Sequence, residues 1–568
     1  MTRALPHPAA ADRRHGFWRV VLAVLCCLAG CAPAFAAEAV DDTQRIEVHR
    51  NGAAGDSVAV TLGIPFAPGQ LTDAKHLRIL DSSGREVAAH VEPVLSWHFK
   101  DRSIRAVRVQ FHTRLLGDTA TLSFALGALR GFDAPGWPIA DELVDGGEGV
   151  RVPGALATLS PAWLCASLIA GPQQPMRPYD AYDDYVATQF EWAQKLPAED
   201  STAWLFDRTS TLYKLYVRSG RVEHLRAAVA SYRFYMSHLH RDGPAFHIGL
   251  HPRSGCLGGW QFGKVNPCDA KYIYVEPTLL ALALSGDDSQ HDATLVGWMI
   301  GVWDSRNGLA GAYEQPDQLF TERHIGLGLI QVVSAYELTG DAYYRSDIEQ
   351  RIERLFEHQQ GDPKTHLLID GKERDGSWRH SWQRHEGDTY EAATDVRGAS
   401  PWMSENIVDG LWHAWLVTAD PRIPTMLTSF GRYLERYGWI DTSVWVKPDR
   451  DWRHPCSGTD GQIAWYWSSA SATPEQLAKI QDSEGWYSDF HTVELGLAVA
   501  LARYFETDPE QRAALDRRLQ RIAHSYAPAC AKIASTARRF NWNNRGAGVV
   551  QWLKTRRYEP PADPAKAP

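Results

Sequence analysis

From about residue 200 the chain repeats one device, and that repetition limits its fold more than any other feature. A helix of small and apolar residues stops at a short turn, and a more amphipathic helix follows. The turns lie at 216–220, 283–287, 336–341, 416–421 and 505–509. Residues 326–335 and 495–502 illustrate the first kind of helix, 344–357 and 511–523 the second. A helix apolar all round belongs inside and a one-faced helix outside it. The spacing, about 50 to 90 residues, is too irregular for a tight solenoid. The expected fold of residues 201–555 is an α/α toroid of five to six helical hairpins. A superhelix of the tetratricopeptide type is the rival, but its fixed period is missing here.

Upstream the period changes to two. Residues 45–49, 57–61 and 106–111 alternate apolar and polar side chains. Turn signals stand between them at Asn51-Gly52, Pro68-Gly69, Ser83-Gly84 and Gly117-Asp118. Short strands so spaced predict a small β-barrel or sandwich over 44–130, giving a multidomain β + α chain. Residues 131–200 read as a linker and 556–568 as a disordered tail.

Residues 1–37 read as an export signal. Arg13, Arg14 and Arg19 precede an apolar stretch, 20–29, too short to cross a bilayer. It can end in a lipobox that leaves Cys31 lipidated, or at the A-x-A site Ala34-Phe35-Ala36. The well-formed A-x-A site favours a soluble periplasmic or secreted bacterial protein; a lipid anchor on Cys31 is the one membrane attachment expected. Export permits disulfides. Cys256 and Cys268 flank a glycine-rich loop and are the expected pair, with Cys165 the expected buried free thiol. No C-x-x-C or paired-histidine spacing supports a zinc site.

In a toroid, the segments leading into the inner helices share one rim, and candidate chemistry is read there. They carry Asp207 and Arg208; Tyr274 and Glu276; Glu322, Arg323 and His324; Trp402, Glu405 and Asp409; and Trp486, Tyr487, Asp489, His491 and Glu494. Acids in a first turn also answer the helix macrodipole, and Ser404 is a candidate N-cap. A charged histidine there is disfavoured, so His324 and His491 call for another explanation. A second cluster at 378–402 mixes Trp382, His385 and Trp402 with arginines and acids on what reads as neither helix nor strand. Residues 441–467, with Trp445, Trp452, His454, Tyr466 and Trp467, are similar. Functional groups gather on scaffold-held loops, although a tryptophan-rich plug has the same composition. The chain's 22 Trp against 6 Met supply flat faces for sugar rings or for a core. Its formal charge of -9 lacks the basic excess of a nucleic-acid binder.

The β segment resembles a known module. Gly63-Ile64-Pro65-Phe66, Gly69-Gln70-Leu71, Leu77-Arg78-Ile79-Leu80-Asp81, and Trp97 followed by Asp101-Arg102-Ser103-Ile104-Arg105 resemble the RIFT-type barrel that heads exo-rhamnogalacturonan-lyase-like proteins. Arg102 stands where that pattern has Gly, and Ala106 where an aromatic is common. The resemblance covers about 90 residues and carries over no catalytic residue. It implies a carbohydrate-active partner domain.

Two catalytic classes fit, with a polysaccharide or oligosaccharide as the expected partner. In β-elimination beside a uronic acid, Arg323 and Arg208 would hold the carboxylate, His324 or His491 would be the base, and Tyr274 or Tyr487 the acid. Arg323 beside His324 favours this polysaccharide-lyase reading. In inverting hydrolysis, Glu405 or Asp409 would pair with Asp489 or Glu494 across about 6.5–9.5 Å. Asp207, Glu276, Glu322, Trp382, His385, Trp402, Trp486 and Glu494 would line the substrate. A non-catalytic glycan-binding protein is the third class. No metal or organic cofactor is expected. A calcium ion would suit an acidic substrate, but no D-x-D-x-D-G loop is present.

Overall fold

The period-two segments become strands, and their alternation decides which face each buries. In the computed structural model these are β1 (Thr43–Arg50), β2 (Ser57–Pro65), β3 (Leu77–Leu80), β4 (Glu86–Val87), β5 (Ala89–Ser96), β6 (Ile104–Arg114) and β7 (Thr119–Leu126). The described residues are 43–53, 55–147, 149–195, 204–242, 245–248, 270–289, 292–307, 322–361, 373–382, 397–441, 462–473, 475–477, 488–526 and 537–559. Strands β8 (Leu143–Asp145), β9 (Arg151–Pro153) and β10 (Ala155–Thr158) follow. One antiparallel sheet runs β10-β1-β7-β3-β4 and a second β2-β6-β5. Ile46, Val48, Leu122 and Phe124 of the first sheet, and Val60, Ile64, Val107 and Val109 of the second, are buried. Phe66 and Phe124 meet the Trp163 ring edge-on at 5.7 and 5.0 Å. Residues 131–200 hold more than a linker would. Strand β10 completes the first sheet against β1, and helices α1 (Pro161–Ala166) and α2 (Ala181–Ala193) follow it.

The helical part alternates as its pattern requires. Helices α3 (Arg208–Ser219), α5 (Glu276–Ser285), α7 (Glu322–Thr339), α9 (Pro401–Thr418) and α12 (Gly496–Phe505) are buried nearly all round. Their partners α4 (Val222–Ser237), α8 (Ala342–Gln360), α10 (Arg422–Tyr437) and α13 (Pro509–Ala523) bury one face. Helix α6 (Ala293–Asn307) follows α5 and packs on α7. Short α11 (Ser488–Glu494) precedes α12; α14 (Ala537–Arg545) and α15 (Ala547–Leu553) end the described chain. Contacts run α3 to α5, α5 to α7, α7 to α9, α9 to α12, α12 to α15, and α15 back to α3. The turns close on left-handed residues, Gly220, Gly286, Gly340 and Ala419. None of the described helices is long and apolar enough to cross a membrane.

Strand β2 and the loop between β5 and β6 cover the C-terminal ends of α5 and α7. A Cβ on Gly63 of β2 would stand 2.2 Å from the Ala283 carbonyl oxygen, and one on Gly286 would stand 2.8 Å from Thr61 Cγ2. A Cβ on Gly340 would stand 2.7 Å from the His98 ring. Strands and helices from Asp42 to Glu559 therefore belong to one contact unit.

Candidate active site

Asp207 caps α3, its Oδ1 accepting from Ser210 N at 3.0 Å. Phe206 and Asp207 both take left-handed backbone angles, φ 69° and 61°, at a cost of about 1–3 kcal/mol each. Neighbours hold them there. Phe206 N donates to Tyr274 Oη at 3.0 Å, Asn541 Nδ2 donates to Leu205 O at 2.9 Å, and the Trp542 ring lies 3.9 Å from Phe206. Glu276 opens α5, where Gln331 Oε1 from α7 accepts from Val275 N at 2.6 Å.

Charges from the inner helices α3, α5 and α9 and from α14 then link up. Lys214 Nζ sits 2.7 Å from Glu276 Oε1. His413 Nε2 is 4.0 Å from that oxygen and 3.7 Å from Asp409 Oδ1. Arg545 donates through Nε to Asp409 Oδ2 at 2.5 Å and through Nη2 to Asn406 Oδ1 at 3.2 Å, and lies 3.6 Å from Glu405 Oε2. Beside them, His491 Nδ1 is hydrogen-bonded to Glu494 Oε2. The His491 ring stacks on Trp402 at 4.0 Å and 8°, with Trp542 4.8 Å from Trp402. All these charged groups but His413 are buried.

Burial splits the carboxyls. Burial first, then the Glu276 charge, pushes Asp207 up to about 7. Glu405 is held well above the usual carboxylate range by burial, against Arg545 and with Asp409 and Glu494 adding to the push. Asp409 goes the other way, because Arg545, His413 and Lys214 outweigh its burial. Burial and Asp207 raise the Tyr274 phenol, which stays neutral. The cluster thus pairs neutral with ionised carboxyls, the condition for acid and base work at one pH.

Of the residues singled out from sequence, Asp207, Tyr274, Glu276, Trp402, Glu405, Asp409, His491 and Glu494 meet in this cluster. The third lead-in segment bonds differently. Glu322 Oε1 accepts from Ser400 N at 2.8 Å and Ser404 Oγ at 3.3 Å, with His380 Nε2 3.5 Å from Oε2. Ser400, not Ser404, is therefore the N-cap position of α9. Ser404 fails as a cap because it sits a full turn inside the helix, where its hydroxyl serves Glu322. Arg208 and Arg323 are buried in first turns, and half-buried His324 lies 6.3 Å from the Trp303 ring. Trp382 is buried against Trp467 at 5.2 Å and Tyr466 at 6.2 Å. Asp489 falls on α11, its side chain outside the described set. His385, Trp486, Tyr487, Cys256 and Cys268 lie outside the described residues. Cys165 is a buried free cysteine. The 378–402 and 441–467 segments are not wholly irregular. Strand β13 (His380–Ser381) pairs with β14 (Arg397–Gly398), and β15 (Trp439–Asp441) with β16 (Gln462–Ala464).

Sequence reasoning missed Lys214, His413 and the sixth lead-in helix, α14, with Asn541, Trp542 and Arg545. The signals existed. Glu405, Asp409 and His413 recur at i, i+4 and i+8 on one helix face. Residues 539–545 mix Arg, Trp and Asn before a small apolar helix, as the other five segments do. Among the described residues no three His, Cys, Asp or Glu side chains converge as a metal site. No protein-family model matches the chain, and no curated protein matches it.

Proposed function

We propose that the protein is an exported carbohydrate-active enzyme of the polysaccharide-lyase class, acting by β-elimination beside a uronic acid. In this reading the closed sequence of contacts from α3 through α15 back to α3 is an α/α toroid. The β sheets are its RIFT-type head, and the buried cluster is the reaction centre. One observation carries the reading: an imidazole fixed at Nδ1 by Glu494 and laid flat on Trp402, beside a buried guanidinium. A carboxylate at one ring nitrogen sets the tautomer and strengthens the other nitrogen as a base. His491 removes the C-5 proton as the C-4–O bond breaks and the C-4=C-5 double bond forms, and protonated Glu405 donates to the leaving oxygen. Arg545 and Lys214 offset the developing negative charge, and an indole face positions the sugar.

A second reading has its own support. Glu405 beside Asp409 is a carboxyl pair with opposed protonation, as inverting hydrolysis requires, and Asp207 is a further carboxyl raised by burial. A paired assay separates the two on acidic and neutral glycans. Ultraviolet absorbance of an unsaturated uronate rising with reducing ends supports elimination. Reducing ends without absorbance overturn it in favour of hydrolysis. No cleavage of rhamnogalacturonan or other uronate polymers, with binding retained, would favour the glycan-binding class.

A further inference from the structure

The Trp97–Arg105 stretch that carried the family resemblance has no part in the central cluster, yet it builds a cavity of its own. The loop between β5 and β6 faces the α7–α8 turn, and together they form a half-open pocket of about 450 Å³ lined by Ser96, His98, Arg102, Tyr336, Gly340, Ala342 and Arg345. That volume suits one small ligand. Its lining carries two guanidinium groups and, among the described residues, no acid. Arg345 is anchored by Glu349 at 2.7 Å and the Val417 carbonyl at 2.7 Å. Arg102 has no acidic partner among the described residues.

The backbone adds a second observation. Arg102 is left-handed at φ 62°, where Gly is the low-cost residue. A bulky cation at a position suited to Gly makes sense when its head group has work to do. Beneath it the loop is rigid. Ser103 Oγ donates to Asp101 at 2.7 Å, Trp97 Nε1 donates to Phe66 O at 3.0 Å, and Arg105 is paired with Glu337 at 2.8 Å. The His98 imidazole, held neutral by burial and by Arg105 and Arg102, supplies an uncharged hydrogen-bonding edge.

We propose that this cavity binds the carboxylate of an acidic sugar, with Arg102 and Arg345 as the clamp and Tyr336 and His98 as the ring wall. Along α7 it lies about 20 Å from Glu322, at the opposite end of the inner helices from the cluster. The choice of a sugar rests on the reading above; the carboxylate clamp does not.

Calorimetric titration of the full chain with galacturonate, galactose, acetate and sulfate, at fixed ionic strength, tests it. Galacturonate should bind and galactose should not. Arg102→Gly should weaken galacturonate about tenfold or more while its thermal midpoint holds or rises, because Gly accepts φ 62° without strain. Arg345→Gln should weaken it too. Unchanged galacturonate affinity in both variants would overturn the site. Acetate binding as tightly as galacturonate, still dependent on Arg102, would overturn the sugar alone. Binding of sulfate but neither carboxylate would overturn the ligand class. None of these results depends on turnover at the cluster, so the lyase reading stands or falls separately.

Discussion

Asp207→Asn isolates one buried proton. Asn keeps the Oδ1 that caps Ser210 N, and it tolerates the left-handed φ of 61°. The variant therefore removes only the ionisation. In the folded chain Asp207 holds its proton to about pH 7, whereas its ordinary value is 3.8. Between those values the folded state binds more protons than the unfolded state, so stability falls as pH rises. The contribution is fully present below 3.8 and lost through about 7. At about 1.4 kcal/mol per pH unit, the window contributes at most about 4 kcal/mol. Against a typical total of about 5–15 kcal/mol that is easily measured. Urea unfolding, followed by tryptophan fluorescence from pH 4 to 8, should give similar midpoints for both proteins at pH 4. The variant should gain progressively as pH rises above 4, levelling off above about 7. Parallel curves across the whole range would refute the assignment. A slope that survives Asp207→Asn but disappears in Glu276→Gln would move the proton to Glu276 and refute it equally.

Three further outcomes follow from the same geometry. His491→Ala should lower turnover on the cleaved glycan by about 10²–10⁴-fold with little change in KM, and Glu494→Gln by less; steady-state kinetics of the two variants checks this. Arg545→Met strands the buried Asp409 charge and should cost about 3–5 kcal/mol; adding Asp409→Asn should restore at least about half, as a double-mutant cycle would measure. Gly326→Ala would put a Cβ 2.1 Å from the Asn406 carbonyl carbon, forcing α7 off α9. It should cost about 1–3 kcal/mol or more, read as a lower urea midpoint at unchanged m.

Local periodicity made much of this architecture legible. Residues 326–335 lie wholly within buried α7, and 344–357 within one-faced α8. Hydrophobic spacing is a local property, so it survives in a single sequence. What stayed hidden was long-range. The sheet's completion by β10 depends on pairing with β1 more than 100 residues away, and the stretch around β10 looked like a linker because its strands are only three or four residues long. The lead-in segments named acids that the structure brings together, since residue type is written in sequence. Their cations were less visible. Lys214 is one cation in a helix that also carries Arg208 and Arg218, and Arg545 comes from the far end of the chain. Glu322 shows the converse case: its position matches the other acids, but its Oε1 accepts from Ser400 and Ser404 and its Oε2 lies against His380.

The balance of charge distinguishes the cluster from ordinary buried ion pairs. Arg105 with Glu337, or Arg218 with Asp183, is one cation to one carboxylate, which suffices for packing. Among the described residues, the cluster gathers five acids, Asp207, Glu276, Glu405, Asp409 and Glu494, around two permanent cations, Lys214 and Arg545, and two histidines. Ionising all five acids would leave an excess of buried negative charge over these cations, which burial makes costly. Protons must therefore reside inside, and Asp207 and Glu405 are where burial and neighbouring charges put them. A scaffold gains nothing from surplus acids that must stay protonated, since matched pairs or apolar side chains would pack as well. A reaction that moves protons needs that surplus, with a donor already loaded and a base already empty a few ångströms away. That imbalance, more than any single distance, is the reason to look for chemistry at the N-terminal ends of the inner helices.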